Sequence, residues 1–187
     1  MNLMIDFETL GNRPTTIVVS LGACMFNAEG IHAKELYYFD IQEQVDAGRT
    51  FRASTLAWWM KQSDAARQVF WDAERERLNM LDFFNSFELW IDQVLEDHLE
   101  GRDELKVWGN GADFDNAILA DLYYKMSPNG EDDLPWKFWN GRCFRMFNTM
   151  TNIKKKHRMS GAAHNALDDA VYQAECVIKV LQNKKGK

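Results

Sequence analysis

Cysteine and proline are both scarce in this sequence, with three of each among 187 residues. Cys24, Cys143 and Cys176 stand far apart and form no C-x-x-C pair. That spacing excludes a disulfide framework and a zinc ribbon, and it fits a reducing cytoplasm. There is no apolar run of about 18 residues, and no charged start leading into an apolar stretch and a cleavage site. The expectation is a chain with neither a membrane span nor a signal peptide. No internal repeat, low-complexity tract or Pro/Ser-rich linker interrupts it, so residues 1–182 read as one domain and 183–187 as a short basic tail. Basic residues are in the minority: 22 Lys and Arg against 28 Asp and Glu leave a net charge of −6. That balance argues against a protein that coats DNA without specificity. It leaves room for an enzyme acting on nucleic acid, because a carboxylate-rich site carries its own negative charge until a bound metal meets the phosphate.

What the sequence does contain is patterned. Met4, Ile5 and Phe7 read as a buried strand, yet Asp6 and Glu8 interrupt it. Side chains alternate along a strand, so the two carboxylates share one face. At a rise of ~3.3 Å per residue their Cα atoms lie roughly 6–7 Å apart, within reach of one cation. Carboxylates on a buried strand are costly unless a positive charge meets them there. After the turn “GNRPTT”, the stretches “IVVSLGACMFN” and “ELYYFDI” complete a meander of three antiparallel strands. “STLAWWMKQSDAARQVFW” reads as two short helices, capped by Ser54 and by Ser63 or Asp64. Leu81, Phe84, Phe87, Leu89, Trp90, Ile91, Val94 and Leu95 recur at helical spacing between Met80 and Leu99. “ELKVWGN” reads as a short central strand running into the helix “ADFDNAILADLYYKM”, with Phe114, Ile118, Leu119 and Leu122 inward. “GRCFRMF” reads as a last strand, and about Gly161 to Leu181 as the final helix. This order predicts an α/β domain with a mixed central sheet.

Two later segments add acid. Asp113 and Asp115 fall where a strand gives way to a helix, the usual place for functional groups in such folds. Asp113 suits a helix N-cap, and Asp115 the first turn, where the macrodipole alone would favour it. On the final helix the apolar stripe is Leu167, Ala170, Val171, Ala174, Val177, Ile178 and Leu181. Asp168 shares a solvated row with Tyr172, Glu175 and Lys179. Asp169 neighbours Ala166, Gln173 and Cys176, a flank of small or weakly polar residues, and is the better candidate for a buried functional carboxylate. His164 lies at or just before the start of this helix.

Taken in order, “DFET” with Asp6 and Glu8, “FD” with Asp115, and His164 followed by Asp169 resemble the three motifs of the DEDDh 3′–5′ exonuclease superfamily. The longer phrases “MIDFETLG…VVSLGACMF”, “STLAWWMKQS” and “WGNGADFDNAIL” are similar to its small phage, prophage and mycobacterial branch, which includes exonuclease-VIII-like members. The resemblance runs from residue 2 to about 181. One departure is Asn110, where many relatives carry histidine.

The resemblance implies an RNase H-like mixed sheet, with three antiparallel strands plus parallel ones flanked by helices. It also implies two divalent cations, Mg²⁺ or Mn²⁺, hard ions that prefer oxygen ligands. Asp6, Glu8 and Asp169 would hold the ion that activates water, and Asp6 would bridge to a second fixed by Asp115. His164 would be the general base, since its ordinary pKa near 6.5 suits proton transfer at neutral pH. Thr9, Leu10 and Gly11 would pack against the terminal nucleotide. The substrate would be a single-stranded or overhanging 3′ end, and the product nucleoside 5′-monophosphates. The phage kinship points to DNA first and the mycobacterial branch to RNA. Relatives also point to a homodimer.

Two features admit both a structural and a functional reading. Trp58 and Trp59 point about 100° apart on a helix; Trp59 is core, a stacking platform for a substrate base, or a subunit contact. The run Lys154–Arg158 is either a solvated face or a guide for the phosphate backbone. A non-catalytic nucleic-acid-binding module on the same fold is the alternative to an enzyme; every expected catalytic position being filled counts against it.

Overall fold

Alternation decides the first strand, β1 (Asn2–Thr9): Leu3, Ile5 and Phe7 enter one apolar cluster, while Met4 enters another on the opposite side. The computed structural model describes residues 1–71, 76–111, 113–128, 134–151 and 165–185. β2 (Val18–Phe26) is buried at every position and pairs antiparallel with β1 on one side and β3 (Ile31–Tyr38) on the other. β4 (Lys106–Gly109) and β5 (Gly141–Cys143) extend the sheet in parallel, giving the order β3-β2-β1-β4-β5. The mixed α/β architecture predicted from the element order is therefore the one observed.

Helices cover both faces. α4 (Met80–Asp97) and α5 (Asp115–Met126) bury Phe83, Phe84, Phe87, Ile91, Ile118, Leu119, Leu122 and Tyr123 against the Leu3–Ile5–Phe7 side. α6 (Phe144–Thr151) and α7 (Ala166–Lys185) close the other side with Phe144, Ala170, Ala174, Val177 and Ile178. Between β3 and α4 run α1 (Ile41–Asp46), α2 (Ala53–Trp59) and α3 (Asp64–Arg67). Among the described residues no helix is long and apolar enough to cross a membrane. The three cysteines are free thiols.

Several boundaries differ from the sequence reading, each for a local reason. “GRCFRMF” is a strand for three residues only; from Phe144 it is helical, with Phe144 turned into the core. β3 begins at Ile31 and ends at Tyr38, because Asp40 accepts hydrogen bonds from the Gln42 and Glu43 N–H groups and starts α1 there. α2 takes Arg52 rather than Ser54 at its N-cap, while Ser63 caps α3 as expected. Leu81 and Leu89 lie on the exposed side of α4, and Met80 and Phe83 take the inward places. α7 is described from Ala166 on, and residues 152–164 lie outside the described set.

The loop after β1 is held from outside by residues 44–59. Gln44, fully buried, accepts from the Val18 N–H at 2.8 Å and donates to the Val18 carbonyl at 2.9 Å. The buried Arg49 guanidinium donates to the carbonyls of Thr16 (2.9 Å) and Pro14 (2.8 Å) and to the Asp121 carboxylate on α5 (2.9 Å). Arg52 N–H donates to the Leu10 carbonyl at 2.9 Å. This frame ties the exit of β1 to the body of α5.

Candidate metal centre and active site

β1 carries Asp6 and Glu8 on one face, and β2 sets what stands beside them. Gly22 is the register partner of Asp6, and Ser20 that of Glu8. Opposed residues of an antiparallel pair share a face, so the missing side chain at Gly22 leaves the space beside Asp6 open. α7 fills it. A Cβ on Gly22 would lie only 2.2 Å from the carbonyl carbon of Ala166. Asn165 caps this helix, its Oδ1 accepting from the N–H groups of Leu167 (3.0 Å) and Asp168 (3.1 Å). Asp169, in the first turn, thereby reaches the β1 carboxylates. Oxygen atoms of Asp6, Glu8 and Asp169 lie within 4.8 Å of one another.

Asp115 approaches from the other side and is 1% exposed. Phe114 occupies the N-cap of α5 without a side-chain cap, and Asp113 is exposed, so the capping role expected of Asp113 is not observed. The Asp115 carboxylate instead turns back to the sheet. Its Oδ1 accepts from the Phe7 N–H at 3.1 Å and its Oδ2 from the Asn110 N–H at 2.7 Å. Because Asn110 contributes its backbone, the departure from histidine at that position leaves this contact intact. Gly109 permits the approach: a Cβ there would lie 2.7 Å from the Asp115 Cβ. Asn116 anchors the same turn by donating to the carbonyls of Val107 (3.1 Å) and Arg142 (3.3 Å).

The electrostatics follow from this crowding. Burial holds the Asp6 carboxyl well above the usual carboxylate range, and the charges of Asp115, Asp169 and Glu8 push it the same way. A 2.8 Å hydrogen bond from the Gln173 amide opposes them. Burial raises Asp115 to about 6, against the pull of the Phe7 and Asn110 N–H groups and of the Arg145 charge. A group of carboxylates that repel one another and offer only oxygen donors suits a hard divalent cation. The residues present thus fit a metal ion.

Other expected residues fall differently. Thr9 and Gly11 are buried at the end of β1, where the Thr9 hydroxyl donates to the Gly11 carbonyl at 2.7 Å. The Leu10 side chain packs inward with Ile17, Val19, Tyr38 and Trp59. Trp59 is 3% exposed and its indole N–H donates to the Thr9 carbonyl at 2.9 Å. This burial, with edge-on contacts to Trp58 and Phe70, supports the packing reading over the stacking platform. His164 and Lys154–Arg158 lie outside the described residues. The sequence reading missed Gly22 and Gly109 as site-forming residues and Gln173 as a partner of Asp6. Only Gln173 left a trace, four residues beyond Asp169 on the flank already singled out.

Comparison with known proteins agrees with this geometry. The model of the Rv2179c-like 3′–5′ exoribonuclease domain matches residues 1–181. An exodeoxyribonuclease of Enterobacteria phage T4 is 28% identical over 166 residues, covering 77% of this chain and 69% of the phage protein. A solved structure of a 3′-exonuclease recognising the 3′ end of a histone mRNA stem-loop superposes with a TM-score of 0.53 at 14% identity. That match covers 97% of this chain but only 63% of the other, and it is a likeness of fold. The chain belongs to the Rv2179c-like 3′–5′ exoribonuclease domain family and carries a 3′–5′ exonuclease domain of the DEDDh, RNase H-like type.

Proposed function

We propose that this protein removes nucleoside 5′-monophosphates one at a time from single-stranded or overhanging 3′ ends, in a reaction dependent on Mg²⁺ or Mn²⁺. The observation that carries the reading is the convergence of Asp6, Glu8 and Asp169 within 4.8 Å, beside the buried Asp115. In it, Asp6, Glu8 and Asp169 would hold one ion, and Asp6 with Asp115 would hold a second. When bound, such ions lower the pKa of water and neutralise charge on the phosphate and the leaving oxygen. His164 accepts the proton of the attacking water. The water oxygen bonds to phosphorus as the bond from phosphorus to the 3′ oxygen breaks, and the departing 3′ oxygen takes a proton from solvent, leaving a shortened strand with a free 3′-hydroxyl and a nucleoside 5′-monophosphate. Thr9, Leu10 and Gly11 form the rim that meets the terminal nucleotide. Since the Leu10 side chain is in the core, the contact is made by backbone, held rigid by Trp59 and Arg52.

DNA is the first substrate, on the strength of the phage exodeoxyribonuclease relative. RNA is the second reading, favoured by the exoribonuclease family that spans residues 1–181. Matched DNA and RNA oligonucleotides carrying a 5′ label decide both points. With Mg²⁺ or Mn²⁺, bands should shorten from the 3′ end and mononucleotides should accumulate. Absence of metal-dependent shortening on either sugar overturns the reading. His164→Ala should slow single-turnover cleavage at least about 100-fold while metal binding persists; an unchanged rate and pH profile would remove His164 from the reaction.

A further inference from the structure

Over the loop that leads from β4 to Asp115 stands the guanidinium of Arg145. β5 ends at Cys143, the register partner of Gly109, so α6 starts at the same end of the sheet as the turn that delivers Asp115. Phe144 is buried and fixes that start; Arg145, the next residue, is exposed. A guanidinium nitrogen of Arg145 lies 4.0 Å from where a Cβ on Gly111 would stand, which places it over the loop between β4 and α5. Its charge reaches Asp115 and favours the ionised carboxylate. Yet its side chain forms no ion pair or hydrogen bond with a described residue, and the first turn of α6 contains no acid.

We propose that Arg145 binds a backbone phosphate of the substrate strand, the one a single linkage 5′ of the scissile bond. The inference rests on the exonuclease reading above. Asp6, Glu8, Asp115 and Asp169 repel every phosphate, and ions held among them compensate only for the one seated there. The next phosphate along the strand needs its own cation. The exposed Arg145 stands over the loop that leads to the buried Asp115, and a guanidinium fork matches two phosphate oxygens.

The test neutralises the proposed partner on each side of the contact. Wild type, Arg145→Ala and Arg145→Lys are assayed on an oligonucleotide with all its phosphates and on the same strand with one uncharged methylphosphonate at the second linkage from the 3′ end. Binding of both strands is followed in Ca²⁺ by fluorescence anisotropy. Arg145→Ala should weaken binding and lower kcat/KM on the natural strand by about tenfold, mostly through KM. Neutralising the linkage should cost wild type a similar factor and Arg145→Ala much less, with Arg145→Lys between them. Equal penalties from the methylphosphonate in wild type and Arg145→Ala, or no loss in Arg145→Ala on the natural strand, overturn the proposal. If wild type cleaves nothing, the exonuclease reading fails, and anisotropy alone decides Arg145: equal binding of both strands by all three proteins overturns the contact.

Discussion

At Asp6 burial and the charges of Asp115, Asp169 and Glu8 all act to keep the proton on, and only the Gln173 amide acts against them. Removing the charge while keeping the shape should therefore separate function from folding. Asp6→Asn is expected to lose cleavage and yet to be more stable than wild type in EDTA, by about 1–3 kcal/mol at pH 7. Urea denaturation reads the second effect, and a less stable variant would contradict the repulsion argued here. The sign of the pH dependence follows from the same shifts. Asp6 and Asp115 have folded pKa values above their unfolded ones, Asp115 at about 6. Each group binds its proton more tightly in the folded state, so its contribution is complete below the unfolded pKa and is lost as pH rises through the folded one. Metal-free protein should therefore lose stability between about pH 4 and pH 7 from these groups, measurable by melts in EDTA. Metal affinity should run the other way and weaken below about pH 6, as protons displace the ion.

Among the elements, the closeness of α7 to β2 is what assembles the site, and Gly22 is its condition. Gly22→Ala drives a methyl group into the backbone of Ala166 and Leu167. The expected cost is about 1–3 kcal/mol or more, together with loss of metal-induced stabilisation although all four carboxylates remain. A variant that binds metal normally would show that α7 can shift without moving Asp169. This residue also marks where the sequence could not be read. Alternation placed Asp6 and Glu8 on one face, and helical spacing separated Asp169 from Asp168, because both depend only on local geometry. Which strand lies beside Asp6, and that Gly22 falls in register with it, depends on pairing across the sheet. Asp113 was misread for a related reason. Cap preference is a local rule, and at α5 it lost to the two sheet-side N–H groups that draw Asp115 inward. Trp59 resolved toward the core because the Thr9 carbonyl needed a donor that only the tertiary fold supplies.

At the scale of the whole molecule, ligand binding and folding are linked. An ion that binds only the folded site stabilises it by about 2.7 kcal/mol at a hundred times its Kd. Thermal melts with Mg²⁺ or Mn²⁺ should show this gain, and chelation should remove it. Asp6→Asn should show little of it. The sheet itself should persist without metal, since the apolar clusters on its two faces include none of the four carboxylates.

The separation of Asp6 from Asp169 along the chain has a consequence for how the protein is made. β1 and α5 are synthesised before α7, so a growing chain carries Asp6, Glu8 and Asp115 before Asp169 exists. Until α7 is made, the close cluster of Asp6, Glu8 and Asp169 lacks a member. On the proposed reading, a nascent chain is expected to gain metal binding only when α7 docks over Gly22. A version ending at residue 164 should accordingly show no metal-induced shift in its melt.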